Sequence, residues 1–589
     1  MIARAPERGP ATNTPNAAPR ASSREPGRVN PDARLTAMRR PWRVAAVVLF
    51  VLTVAAGSFL GDRLLALSDS SREGLRQYTE LVEAARRNYG GEVTYKEVVY
   101  SSIHGMLRQL DPHTSFLPPE AYQRMRDRQQ SSFFGLGILV GLRDGQLTVI
   151  APLEGTPASR MGIRAGDVIE SIEGEPTADM LLDDAVQRLK GPKDTEVRIS
   201  IGRRGVSEPL EMTIKRAEIP LTTVRYVMMI APGTGYFRIT EFSRSTGKEV
   251  ADAVAALRAQ GMKRLLLDLR NNGGGLLDQA IAVADQFVPE GTLIVETKGR
   301  IRDSFQKYRA EGEHKPLDLP LVVLVNSGSA SAAEILAGAI QDHDVGVIVG
   351  TPTWGKGLVQ TVYGLPYDGA LALTTASYYT PSGRLIQRDY SSFYDYYAHG
   401  DGLGEDGEEG AEGRIELPSG DEPVYYTDLG RKVYGGGGIT PDLLIHPQES
   451  PELLQFLEAR NAFFLFGVER TNGTKPVAVD WQPGPEVLRE FEEWVAREGM
   501  VDDPSELEAA LEEESLRIQV LARIRAEALN ASLGNDARYR ALAETDHQIL
   551  EALRQFPKAT ELLALRKGEK VDPRVAEGAA AVDSEPLNR

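Results

Sequence analysis

Two stretches of the chain repeat one pattern. "MKRLLLDLRNNGGGLLDQAIAVADQFV" (262–288) and "LPLVVLVNSGSASAAEILAGAI" (319–340) each run from an apolar segment through a Gly- or Ser-rich loop into residues spaced as a helix. "GTGYFRITEF" (233–242) precedes them as a further strand, and residues 246–260 read as a helix with Val250, Val254 and Leu257 on one stripe. "VGVIVGTPTWGKGLVQTVYGLP" (345–366) then gives strand, loop, strand, and "GALALTTASYYTPSGRLIQ" (369–387) adds more strand-like material. Alternation of strands and helices at this spacing specifies a mixed, layered α/β core over about residues 218–450.

The chain is 589 residues long, too long for one core, so the sequence around this block divides into further regions. Residues 62–132 read as helical, with "DPHTSFLPP" (111–119) a turn-rich break, and residues 451–567 read as mostly helical. A low-complexity acidic stretch at 400–417 is expected to be a solvated loop, and 568–589 a disordered tail.

Residues 1–43 hold nine arginines and three acids, a net charge of +6 in a chain of net charge -17, and their Pro, Ala, Ser and Asn content predicts disorder. Arg39, Arg40 and Arg43 then precede Val44–Leu60, a 17-residue run without a charge. Residues 44–61 thus predict a membrane anchor with the basic side inside; a cleaved signal peptide is the competing reading, and a fully buried soluble helix is the bland one. Either would put the rest of the chain outside the cytoplasm, on the periplasmic side of a cell envelope. The acidic balance disfavours nucleic-acid binding. The absence of cysteine excludes disulfides and thiolate zinc sites.

Between the helical region and the core, residues 133–217 hold the short strand-like runs "GLGILVGL", "QLTVIAPL", "DVIESIEG" and "EVRISIGR" and one helix at 179–190. This segment resembles a PDZ domain. Gly135 and Gly137 in "SFFGLGILV" stand just before an apolar strand, where backbone N–H groups can turn toward a carboxylate and a free strand edge can accept a peptide. Gly135, Leu136, Gly137 and Ile138 are the candidate peptide-binding residues, for protein substrates with apolar C-termini. A small structural β-domain is the alternative.

Ser329 and Ser331 lie where strand turns to helix in "NSGSASAAE", and a serine attacks only once a base takes its proton. The chain has seven histidines; His343, twelve residues past Ser331, reads as a solvated turn residue, and no G-x-S-x-G elbow is present. Lys356, between two glycines in "TWGKG", is a different candidate, because desolvation favours the neutral amine. A solvated surface lysine is the bland reading of that residue. The "NNGGG" loop and the Ala332 N–H, at the start of its own helix, can stabilise an oxyanion.

Taken together, "FFGLGILV", "GTPASRMGIRAGDVIESIEG", "LLLDLRNNGGGLL", "NSGSASAAEILAGAIQD", "GTPTWGKGLVQ", "TTASYYTPSGRLIQ" and "YGGGGITPD" resemble the carboxyl-terminal processing (tail-specific) proteases, Ser-Lys serine peptidases carrying a PDZ domain. The resemblance implies a nucleophile at Ser331, a general base at Lys356, an orienting glutamine at Gln360, and oxyanion donors at Gly274 and Ala332. Gly273 stands where many members have proline. It further implies an α/β core of ClpP/crotonase-like type with an inserted or preceding PDZ domain, no cofactor and no metal, and protein cleavage near C-termini. Adaptor binding or self-association through the helical regions is a further expectation. The rival functions are a catalytically silent PDZ-type envelope adaptor and an esterase.

Overall fold

A computed structural model of the chain describes residues 2–4, 71–314, 316–390, 422–471 and 476–569. The expected membrane segment at 44–61, the acidic loop at 400–417 and the terminal tail from residue 570 lie outside these. Among the described residues no helix is long and apolar enough to cross a membrane.

The central sheet has six strands in the order Val224–Ala231, Thr234–Ile239, Arg264–Asp268, Leu321–Val325, Val347–Gly350 and Leu443–Leu444. The first pair is antiparallel and all the others are parallel. Alternate residues of each strand point to opposite faces. Leu265, Leu267, Val323, Val325 and Ile348 pack on one side with the helices Thr246–Ala259, Leu277–Ala284 and Ala332–Asp342. Leu266, Val322, Leu324, Val347 and Val349 pack on the other with Ile549, Ala552, Phe556 and Ala559. Those last residues belong to the helices His547–Leu553 and Phe556–Arg566. Strands covered on both faces carry continuous apolar runs, which is what "LVVLV" is. Each such side chain contributes about 1.5–3 kcal/mol on burial. The two C-terminal helices of the 451–567 region thus pack on the central sheet.

A second, largely antiparallel sheet runs Ile2–Arg4, Leu358–Gly364, Ala370–Tyr379, Leu293–Lys298 and Gln306–Arg309, with Ser115–Leu117 also paired to Ala370–Ala372. Its Leu358–Gly364/Ala370–Tyr379 hairpin shifts register between Val359 and Gln360, which are paired with Ala376 and Thr374. Alternating strands and helices specify the parallel layer but are silent on what packs beside it. Here that partner is an antiparallel sheet built partly from residues upstream of residue 132.

The segment 133–217 leaves and returns through a two-stranded neck, Ser132–Gly135 paired antiparallel with Ala217–Pro220. It is thus inserted into the core. Its sheet runs Ile138–Arg143, Gln146–Pro152, Val168–Ile172, Glu196–Gly202 and Leu210–Lys215, so Ile138–Arg143 is an edge strand. The helix Leu182–Leu189 completes its own apolar cluster through Ala185 and Leu189.

Helices between Glu452 and Leu533 bury Phe463, Phe466, Phe491 and Trp494 in a further cluster. Residues 71–110 form a separate unit with helices at 71–88 and Tyr95–Leu107. The second helix starts at a capping box: the Thr94 hydroxyl accepts from the Glu97 N–H and the Glu97 carboxylate from the Thr94 N–H.

Candidate active site

Three loops meet at the carboxyl ends of adjacent parallel strands, where α/β sheets place their sites. They follow Asp268, Val325 and Gly350. Backbone and amide contacts sew the first two together. Asn271 N–H donates to Asn326 Oδ1 at 2.8 Å, Asn326 Nδ2 returns a bond to Asn271 Oδ1 at 2.8 Å, and Ala330 N–H reaches the Asn272 carbonyl at 2.8 Å. The third joins them where Trp354 N–H meets the Ser329 carbonyl at 3.0 Å.

The two serines differ sharply in what they do. Ser329 Oγ donates to the Leu269 carbonyl at 2.8 Å and accepts from Asn326 N–H at 3.0 Å, so its hydroxyl is committed to the turn. Ser331 is the N-cap of the helix Ala332–Asp342, with φ +57° and ψ -112°. A β-carbon residue at that angle is strained, and such strain gathers where a loop must present a side chain. Its Oγ is buried and makes no hydrogen bond to a described residue. The Ala332 N–H, first in the helix, likewise has no acceptor among the described residues. It adds a bare donor at the positive end of the helix dipole.

Gly274 lies directly against this N-terminus. A β-carbon on it would come within 2.8 Å of Ser331 Cβ and 3.0 Å of Ala332 N, and its φ of +100° suits glycine. Its N–H donates to Asn272 Oδ1 at 2.9 Å, so this amide is engaged while the Ala332 amide is free.

Lys356 is half-buried in the third loop, and its Nζ donates to Gln360 Oε1 at 3.3 Å. Burial pulls the amine below the ordinary lysine range, while the charges of Glu334 and Asp111 pull it up. Lys356 and Ser331 are brought to one site but do not hydrogen-bond to each other. Two buried groups, absent from the sequence reading, bind their backbones together. The Glu334 carboxylate accepts from the N–H groups of Ser331 (2.7 Å), Gly355 (2.7 Å) and Lys356 (2.9 Å) and from the Thr353 hydroxyl (2.6 Å). Burial pushes this carboxyl up while those bonds pull it down. The Tyr378 hydroxyl sits between the carbonyls of Ser331 (3.0 Å) and Lys356 (2.6 Å). Glu334 was detectable in principle, since Ser331-x-x-Glu334 is a capping-box spacing. Tyr378 carries no local signal.

His343 is not a solvated turn residue. It is 8% exposed, with Nδ1 at 2.8 Å from Asp428 and Nε2 at 2.7 Å from the Leu293 carbonyl, at the opposite end of the Ser331 helix. Both ring nitrogens have partners there, so it does not serve Ser331. The histidine that does approach Lys356 is His113, whose carbonyl accepts from Gln360 Nε2.

In the inserted domain, Gly137 has φ +77°, and a β-carbon there would strike the Thr156 side chain at 2.3 Å. The Leu136 carbonyl accepts from Ala158 and the Gly137 carbonyl from Leu153 and Thr156, while the Leu136 and Gly137 N–H groups bond to no described residue. Gly135 ends the neck strand and Ile138 begins the edge strand. These four residues form one loop beside a free edge, apart from the serine. Among the described residues no group of three His, Cys, Asp or Glu side chains is placed to hold a metal.

Comparison with known proteins decides the family. Residues 233–391 match Peptidase family S41, and residues 148–203 match a PDZ domain. The chain is 37% identical over 356 residues to the carboxy-terminal-processing protease of Bartonella bacilliformis, an alignment covering 58% of this chain and 80% of that protein. The chain belongs to the carboxyl-terminal processing proteases. It is 41% identical over 299 residues to the Synechocystis carboxyl-terminal-processing protease, covering 50% and 69% of the two chains. With the carboxy-terminal processing protease CtpA of Bacillus subtilis it shares 33% over 361 residues, covering 60% and 76%. Like other members of this protease family, it is a serine-type endopeptidase acting on protein and peptide substrates. The same matches replace the ClpP/crotonase-like assignment of the core with an S41 peptidase fold joined to a PDZ domain.

Proposed function

We propose that this protease cleaves peptide bonds near substrate C-termini through a Ser331 acyl-enzyme, with Lys356 as general base. The observation that carries the reading is Ser331 itself: a buried hydroxyl with no hydrogen-bond partner among the described residues, held at φ +57° on a helix N-terminus beside a desolvated lysine. Neutral Lys356 takes the Oγ proton as Oγ bonds to the scissile carbonyl carbon. The amine then returns that proton to the leaving nitrogen as the C–N bond breaks, and next deprotonates the water that hydrolyses the ester. Ala332 N–H receives the oxyanion. Gly274 N–H joins it when Asn272 Oδ1 gives it up. Gln360 keeps the neutral amine oriented. The Lys356 side chain must swing from Gln360 toward Ser331 for the first step.

The PDZ domain supplies the selection. A tail with a free carboxylate meets the Leu136 and Gly137 N–H groups while its backbone extends the sheet along Ile138–Arg143. The substrate end would carry apolar side chains. The 44–60 segment would place all of this on the extracytoplasmic side of the membrane, as an anchor or as a removed signal. Membrane fractionation with and without residues 1–61 tests that placement.

The chemical reading is tested with a serine-directed phosphonate probe and peptide mapping. Label on Ser331, together with lost cleavage of an unfolded reporter in Ser331→Ala, is the expected result. The Ser329→Ala variant should still turn over, with a stability loss of about 1–3 kcal/mol from its buried hydrogen bonds. Label elsewhere, or near-normal cleavage by S331A, overturns the assignment.

A further inference from the structure

The turn Asp111–Thr114 precedes the PDZ insertion by some twenty residues, yet it touches the Lys356 partner. Gln360 Nε2 donates to the His113 carbonyl while Gln360 Oε1 accepts from Lys356 Nζ. An amide has one donor end and one acceptor end. With the donor end held on a carbonyl, the oxygen is the end that the lysine meets.

Asp111 builds this turn. Its Oδ1 accepts from the N–H groups of His113 and Thr114, both at 2.8 Å, and from the Thr374 hydroxyl at 3.0 Å. Its Oδ2 accepts from the Thr114 hydroxyl at 2.6 Å, and Thr374 N–H returns to Thr114 Oγ1 at 3.1 Å. Thr374 is the residue paired with Gln360 in the hairpin, immediately after the register shift. A shift of this kind re-aims a strand side chain. Asp111 therefore ties the turn to the same rung that carries Gln360, and Ser115–Leu117 extends the attachment by pairing with Ala370–Ala372. Asp111 is 9% exposed. The charged and titratable groups facing Lys356 are Asp111 and His113 from this turn and Glu334 from the Ser331 helix.

We propose that Asp111 is a positioning residue for proteolysis: it shapes the 111–114 turn so that the His113 carbonyl orients the Gln360 amide toward Lys356, and its carboxylate adds to the negative charge that the amine faces from Glu334. The inference rests on Lys356 as the base. Two consequences separate it from a purely structural turn. Shape and charge are carried by the same side chain, and Asp111→Asn divides them. Asparagine keeps Oδ1 for its three donors and removes the charge, while its Nδ2 takes the place of Oδ2, so the Thr114 hydroxyl must turn to accept there instead of donating.

The experiment uses the full chain and the variants Asp111→Asn, Asp111→Ala and Lys356→Arg, with kcat and KM for an unfolded reporter measured across pH. The Asp111 charge favours the ammonium form, so its loss favours the neutral amine at a given pH. In D111N the rising limb of kcat/KM is expected to move to lower pH by about half a unit or more. In D111A, kcat is expected to fall about tenfold or more with KM little changed, because the base is misplaced while substrate binding is not. An unmoved limb in D111N overturns the proposal, whether or not D111A folds. So does parent-like kcat in folded D111A. Loss of activity in K356R alongside either result confines the failure to Asp111. Parent-like turnover in K356R overturns the lysine reading and the proposal with it.

Discussion

Ser331 and Ser329 stand two residues apart on one loop, and their surroundings give them opposite tasks. One hydroxyl is spent on the Leu269 carbonyl and the other has no hydrogen-bond partner among the described residues. Residue type alone offered both, and only the resemblance to a family chose between them; the folded loop supplies the physical reason. The glycine-flanked loop offered Lys356 as a candidate base beside the reading of a solvated surface lysine, and the family resemblance singled it out. Its surroundings were not legible, because Glu334, Tyr378 and Asp111 converge on it from separate elements. His113 shows what such convergence does to a titrating group. Burial first, and then the Lys356 charge, push its imidazole from 6.5 down to about 4, against the pull of Asp111. The unfolded chain thus binds a proton near pH 6.5 that the folded chain refuses until about pH 4. Stability from this group is present above pH 6.5 and is lost as pH falls toward 4. Chemical denaturation at several pH values should show that decline, and His113→Asn should flatten it while keeping the backbone carbonyl that Gln360 uses. A decline of the same size in the variant would assign it to other groups.

Elements place the loops that hold these residues. The repeated strand–loop–helix pattern was plain in the sequence because parallel strands covered on both faces must be apolar throughout. The site lies at their carboxyl ends, where α/β sheets place their sites. The second sheet was harder to see. Its strands come from residues 2–4, 115–117, 293–298, 306–309, 358–364 and 370–379, and no local period joins segments so far apart. The expectation of a ClpP/crotonase-like core came from the family resemblance, and the matches to an S41 peptidase and a PDZ domain replace it. The PDZ strands showed as alternating runs, but the last one, Leu210–Lys215, passed unnoticed in the sequence. Peptide capture belongs to this scale, since it needs an edge strand and a loop together. Amidating a substrate tail removes its charge and one strong acceptor. Calorimetry should show weaker binding of the amide than of the acid, by about 10- to 150-fold if a charge-assisted hydrogen bond of about 1.5–3 kcal/mol is lost. Equal affinities would remove carboxylate recognition from the account.

Across the whole molecule, the C-terminal region does more than extend the chain. Its last two helices close the second face of the catalytic sheet, and Asp546 and Gln548 meet Arg270 at the root of the glycine loop (3.2 and 3.0 Å). Helical periodicity was visible there, but which face each helix covers depends on packing against strands more than two hundred residues earlier. Phe556 is 1% exposed in that interface. Phe556→Ala should therefore cost about 3–5 kcal/mol in thermal or chemical unfolding of the core; an unchanged midpoint would mean that the helices merely rest on the sheet. The central claim for the enzyme is that a serine is activated by a lysine and not by a histidine. Its most direct measurement is kcat/KM against pH for the parent, Lys356→Ala and Lys356→Arg. A base with a depressed pKa gives the parent a limb that rises with pH. Arginine stays protonated, so this limb and the activity should disappear in both variants. Cleavage by K356R as fast as the parent from neutral to mildly alkaline pH would contradict the account.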